Sequence, residues 1–148
     1  IHCTKDPFCE SYSYFCKFDL DTEAMNRGAR YLLGKKDFSS FEKLHGGNAT
    51  SICEVTEAKW EEYTPVVGGS DSAKYLVFTI TANRFLRNMV RAIVGSLVEV
   101  GRGRKDPEWI EELLSEKNRC AAGQSVPGHA LFLTEVRYPY IENNKINK

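Results

Sequence analysis

The stretch Asn83-Arg84-Phe85-Leu86-Arg87-Asn88-Met89-Val90-Arg91-Ala92-Ile93-Val94-Gly95 constrains this chain more than any other. Its apolar residues recur at three- and four-residue spacings through Leu97 and Val100, which predicts a helix over residues 84–100. On a helical wheel Phe85, Leu86, Met89, Val90, Ile93, Val94, Leu97 and Val100 cover more than half the circumference. A helix of that kind is largely buried. Arg84, Arg87 and Arg91 share the remaining sector as one stripe, beside Asn88 and Gly95. Stacking them is unfavourable. Like charges at these spacings repel by roughly 0.2–0.5 kcal/mol per pair. Cations at a helix N-terminus lose about 0.3–1 kcal/mol more each.

Three such arginines on a buried helix call for an anion, either phosphate or a carboxylate from another segment. The planar guanidinium grips both with two parallel hydrogen bonds. Gly95, one turn beyond Arg91, leaves room for a close approach by backbone or ligand. The spacing is equally compatible with a solvated face paired to the glutamates of residues 54–62.

The rest of the chain frames this helix. Tyr12, Tyr14, Cys16 and Phe18 alternate, predicting a strand over residues 11–18. Asp21 is the expected N-cap of a helix over residues 22–33, with Gly34 as a left-handed C-terminal cap. Asp37-Phe38-Ser39-Ser40-Phe41 reads as a compact turn, and His45-Gly46-Gly47-Asn48 as a loop. Strands are predicted over residues 52–63, with one acidic wet face, and 75–82, where Leu76, Phe78, Ile80 and Ala82 form an apolar face. A glycine turn at residues 68–72 separates them.

After the long helix, Asp106-Pro107 predicts an N-cap and first turn of a helix running to about Lys117. Residues 123–128 read as loop, residues 131–138 as a closing strand, and the end from Glu142 as a frayed polar tail. The order predicts one α+β domain over residues 1–141, with a mostly antiparallel sheet covered by helices, and a tail over residues 142–148.

Composition excludes several classes. With 148 residues and 42% hydrophobic content the chain can bury a real core. Its net charge is zero, so any case for nucleic acid rests on local clustering. No membrane-length apolar run and no N-terminal export signal occurs. Ile1 opens the chain and methionine occurs only at positions 25 and 89, so a trimmed piece of a longer protein is expected. Five cysteines without a CxxC pair are expected to be reduced thiols of a cytoplasmic protein. His2, Cys3 and Cys9 are the nearest approach to a metal cluster, but their spacing fits no common site, so no metal is expected.

Three segments together resemble the TruA-type family of tRNA pseudouridine synthases. Phe85, Met89-Val90-Arg91 and Gly95 have the spacing of the family's last motif. Leu32-Leu33-Gly34 with Asp37-Phe38-Ser39-Ser40-Phe41 is similar to its "LLG..DFSSF" element. Leu131-Phe132-Leu133, Val136 and Tyr138-Pro139 are similar to its closing strand.

The resemblance implies isomerisation of uridine to pseudouridine in the anticodon arm of tRNA, by a homodimer without cofactor or metal. It implies an essential aspartate and a base extruded into a pocket. It gives Arg91 the role of that aspartate's partner. The family's aspartate segment, of "RTDAGVHA" type, has no counterpart in this chain, and its active-site tyrosine would precede Ile1. The chain by itself is therefore expected to be catalytically incomplete.

Arg84, Phe85, Arg87 and Asn88 are candidate RNA contacts, as is the basic cluster Arg102, Arg104 and Lys105. Phe85 is a candidate platform beneath the target base, although the wheel favours core. Arg87, Asn88 and Ala92 depart from the family's usual residues, and Cys53 stands where an RNA-contacting arginine is expected. His45 reads as a mobile surface residue and His129 as a structural one. Two other readings remain: a non-catalytic RNA-binding module of the same descent, and an interaction domain docking an acidic protein.

Overall fold

A computed structural model describes residues 1–44, 47–64 and 74–138. It is an α+β arrangement built on a three-stranded antiparallel sheet of order β1-β2-β3. The strands are β1 (Gly34–Asp37), β2 (Ile52–Tyr63) and β3 (Tyr75–Ala82). The helices are α1 (Thr22–Arg30), α2 (Met89–Gly101) and α3 (Trp109–Glu116), with short 3-10 turns at Ser39–Phe41 and Gly128–Ala130.

Sequence pattern and fold agree most closely in β2 and β3, whose observed bounds are those predicted. In β2, Cys53 and Val55 face the core, then the ladder slips between Val55 and Glu57, and Ala58 and Trp60 face it instead. A bulge of one residue changes which face each side chain takes, so both halves of the strand still bury their apolar residues. Leu76 is fully buried on β3, with Phe78, Ile80 and Ala82 packed beside it against the core. Trp60 and Phe78 stack across the pair at 4.8 Å.

α1 begins as expected. The Asp21 carboxylate accepts the Ala24 N–H at 2.9 Å, satisfying one of the free donors of the first turn. Asn26 then docks α1 on β2 through both amide atoms: Nδ2 donates to Trp60 O (3.0 Å) and Oδ1 accepts Trp60 N–H (2.7 Å). α1 and α2 cross closely. A Cβ on Gly101 would meet the Met25 side chain, and one on Gly28 would lie 3.1 Å from Leu97 Cδ2 and 3.2 Å from Ile110 Cγ1. The core between helices and sheet includes Met25, Phe38, Phe41, Ile93, Leu97, Ile110 and Leu113.

The structure corrects five expectations. α1 stops at Arg30, and Gly34 keeps its positive φ (95°) not as the helix cap but as the first residue of β1. β1 itself was unexpected; its Gly-Lys-Lys-Asp sequence has no apolar signal and it exists by pairing with residues 52–55 of β2. Residues 11–18 form turns, with one bridge from His2 to Phe15 in place of a strand; Cys16 is buried and Tyr14 packs on the core, but Tyr12 and Phe18 are exposed, so the four do not share one buried face. α3 starts at Trp109 without a side-chain cap, because Asp106 and Pro107 form a preceding turn through their carbonyls. Residues 131–138 form no strand; they are exposed throughout and pair with none of the described residues.

The predicted turn at residues 68–72, His45 and Gly46 of the predicted loop, and the tail from Glu142 lie outside the described residues.

Candidate functional site

The expected stripe of three helical arginines does not form, because α2 begins only at Met89. Asn88 precedes it with φ 70° and ψ −2°, a left-handed conformation that asparagine tolerates better than most residues. Residues 83–88 are instead tied down as loop. The Asn83 N–H donates to Glu54 O (3.0 Å), and Lys43 N–H donates to Arg87 O (2.9 Å). Starting the helix only after Arg84 and Arg87 removes the repulsion that a shared stripe would impose. Arg84 Nη2 donates to Thr50 O (3.2 Å), and Arg87 is exposed. Phe85, favoured as core on the wheel, is 42% exposed.

Arg91 is the one arginine of the three on the helix, and it is held differently. Its Nε donates to Val126 O at 2.7 Å, while Val126 N–H returns a bond to Arg91 O at 3.2 Å. This two-way clamp belongs to a wider seam between α2 and residues 123–128. Gly95 has no room for a side chain, since a Cβ there would fall on the Gln124 carbonyl oxygen. A Cβ on Gly123 would lie 2.8 Å from Ser96 N. Gly123 N–H donates to Ser96 Oγ at 2.9 Å, and Ser96 Oγ donates to Ala92 O at 2.9 Å. The room beside Gly95 is thus filled by backbone.

Ser125 ties the seam to its surroundings. Its Oγ accepts Asn88 Nδ2 (2.6 Å) and Arg119 Nη2 (2.8 Å), and Arg119 Nη1 reaches Gly123 O (3.2 Å). Gly128 completes the surround, with its Cβ position 3.8 Å from Arg91 Cδ and Nε. The result is a half-buried guanidinium fixed by its Nε. Among the described residues no ion pair or other hydrogen bond engages its two terminal nitrogens. Those two N–H-bearing atoms form the fork that binds a carboxylate or phosphate.

The other candidates are occupied locally. Arg102 pairs with Glu99 at 3.0 Å and lies 3.7 Å over the Phe18 ring. Arg104 pairs with the other Glu99 oxygen at 3.4 Å, and Lys105 sits 5.0 Å over Trp109. Cys53 is fully buried on the core face of β2, so that position offers no surface contact. His129 Nε2 lies 3.1 Å from Ser13 O, a structural contact. No cluster of metal-binding type occurs among the described residues.

Sequence reasoning missed Arg119, Ser125 and Val126. No local signal marks them, because the bonds run largely to backbone atoms that any sequence would supply.

Residues 29–139 match the protein-family model of tRNA pseudouridine synthase, and the chain belongs to that family. It is 48% identical over 139 residues to tRNA pseudouridine synthase A of Bacteroides thetaiotaomicron, covering 94% of this chain and 49% of that protein. The protein of the same name from Bacteroides fragilis is 46% identical, with 94% and 52% covered. That of Colwellia psychrerythraea is 40% identical, with 90% and 47% covered. The chain therefore spans about half the length of the curated relatives it matches. No helix among the described residues is long and apolar enough to cross a membrane.

Proposed function

We propose that this chain is the C-terminal part of a tRNA pseudouridine synthase, and that Arg91 holds the catalytic aspartate supplied by the remainder of the protein. The observation that carries this is the Arg91 clamp: Nε is bound to Val126 O, and the terminal nitrogens have no partner among the described residues. A guanidinium so oriented favours the ionised form of a facing carboxylate and fixes its direction. Uracil detachment, turning and rejoining through carbon would then proceed at that carboxylate with no metal or cofactor. Arg91 itself moves no proton; it positions the group that reacts.

The same reading makes residues 1–141 a single domain that contributes RNA contacts, through Arg84, Phe85, Arg87 and Asn88 near Arg91. Phe85 and Arg87 are both exposed at the end of the loop that leads into α2. Arg102, Arg104 and Lys105 have local partners that an RNA phosphate would have to displace. The substrate is the anticodon arm of tRNA, the complete enzyme a cytoplasmic homodimer, and the isolated chain inactive. The relatives' shared name, tRNA pseudouridine synthase A, supports the reaction class.

The test is Arg91→Ala in the full-length protein, assayed for pseudouridine in an unmodified tRNA transcript. Loss of a buried charge partner at a reacting carboxylate should lower turnover by about a thousandfold or more. Turnover within a factor of a few of the parent would sink the assignment.

A further inference from the structure

A second basic feature lies across the 123–125 loop from Arg91. A cleft of about 370 Å³ opens between residues 39–44 and 47–48 on one side and residues 117–119 on the other, lined by Ser39, Glu42, Lys43, Lys117, Asn118 and Arg119 among others. Three cations come to it from two segments, in a chain whose net charge is zero. Its one lining carboxylate, Glu42, has both oxygens engaged by Asn48 Nδ2 and Ser51 Oγ.

The three cations are held in different ways. Arg119 is fixed by Gly123 O and Ser125 Oγ. Lys117, at φ 51°, is paired with Asp37 at 3.3 Å. Lys43 is exposed, and no ion pair engages its ammonium among the described residues. Its backbone N–H bonds Arg87 O, so the exposed Arg87 continues the basic rim toward α2.

We infer that this cleft is a phosphodiester-binding site for the RNA backbone, with Lys43 its open cationic contact and Lys117 and Arg119 its fixed ones. The inference deepens the reading of the chain as an RNA-modifying protein and rests on it. Three points support it over a plain solvated face. The cations converge from two segments, Lys43 on one and Lys117 and Arg119 on the other, on a concave surface. The carboxylate within it is already engaged. Arg119 is bonded to the same Ser125 Oγ as Asn88, in the loop that clamps Arg91. Phosphate contacts of this kind set register and affinity without reading sequence.

The experiment uses the full-length protein carrying Lys43→Ala, Lys43→Glu or Lys43→Arg, with an unmodified tRNA transcript as probe. Lys43 is exposed and contributes only its backbone to the fold's hydrogen bonds, so thermal stability should be unchanged. Lys43→Ala should weaken tRNA binding by about fivefold and reduce the slope of log affinity against log salt by about one. Lys43→Glu should weaken it further, and Lys43→Arg should restore it. KM should rise while kcat stays within about a factor of two.

Unchanged affinity and salt slope in stably folded variants would overturn the inference. A wild-type protein that forms no pseudouridine, yet loses tRNA affinity on Lys43→Ala, would overturn the proposed reaction and uphold the cleft. A wild-type protein that does not bind the transcript would overturn both.

Discussion

β3 and residues 131–138 have the same length and a similar supply of apolar side chains, yet they end in opposite situations. β3 pairs with β2 along Tyr75–Ala82 and turns Leu76, Phe78 and Ile80 toward the core. Leu131, Phe132, Leu133, Val136 and Tyr138 are 51–79% exposed, and no pairing engages their backbone among the described residues. The ion pair in this segment, Glu135–Arg137 at 2.7 Å, is local and exposed. An apolar stretch becomes a strand only where another edge completes its hydrogen bonds. The segment also lies inside the family match, which runs to residue 139, although it stands apart from the core. The inner region is held by its own contacts; the closing segment is not.

That contrast is open to direct challenge. The largest effect should come from Gly95→Ala, where the new methyl falls on the Gln124 carbonyl. Overpacking against backbone should cost about 3 kcal/mol in urea denaturation. It should also loosen the seam that orients Arg91. A change below about 0.5 kcal/mol would mean that residues 123–128 are not packed on α2 as described.

A smaller effect concerns His2, fully buried between Phe15 and Tyr75 with neither ring nitrogen hydrogen-bonded among the described residues. Burial holds its pKa below the ordinary 6.5, helped by His129 and opposed by Asp6 and Glu10. The unfolded chain therefore takes up this proton at a higher pH than the folded one. Stability should be fully present above pH 6.5 and decline as pH falls from there toward the folded-state pKa. Each unit of difference is worth about 1.4 kcal/mol. Chemical denaturation at pH 7 and pH 5 checks this, and His2→Phe should flatten the decline. An equally steep decline in His2→Phe would place its origin elsewhere.

The smallest effect belongs to the closing segment. Leu133→Ser should change the stability of this chain by less than about 0.5 kcal/mol, because the side chain is 79% exposed. A loss above about 1.5 kcal/mol, the scale of a buried leucine, would erase the contrast between the two regions.

Much of this was legible in the sequence, and the failures have identifiable causes. Alternation bounded by turn residues located β2 and β3, and Asp21 announced α1. The start of α2 was misread because Phe85 and Leu86 extend the helical periodicity, while periodicity carries no record of the positive φ at Asn88. β1 lacks any side-chain signal and depends on its neighbour's backbone. Residues 131–138 carry strand chemistry without a partner to satisfy it. The clamp on Arg91 left no mark in the sequence, because Val126 contributes a carbonyl and Gly95 the absence of a side chain. The predicted stripe of arginines does not form, because Arg84 and Arg87 precede α2 and only Arg91 stands on it.

If the clamped guanidinium serves a carboxylate and not the fold, its loss should cost activity and leave stability in place. The decisive measurement is pseudouridine formation by the full-length protein carrying Arg91→Ala, compared with its thermal stability. Turnover should fall by about a thousandfold or more while the protein remains folded. Turnover close to the parent's in a folded variant would contradict that role.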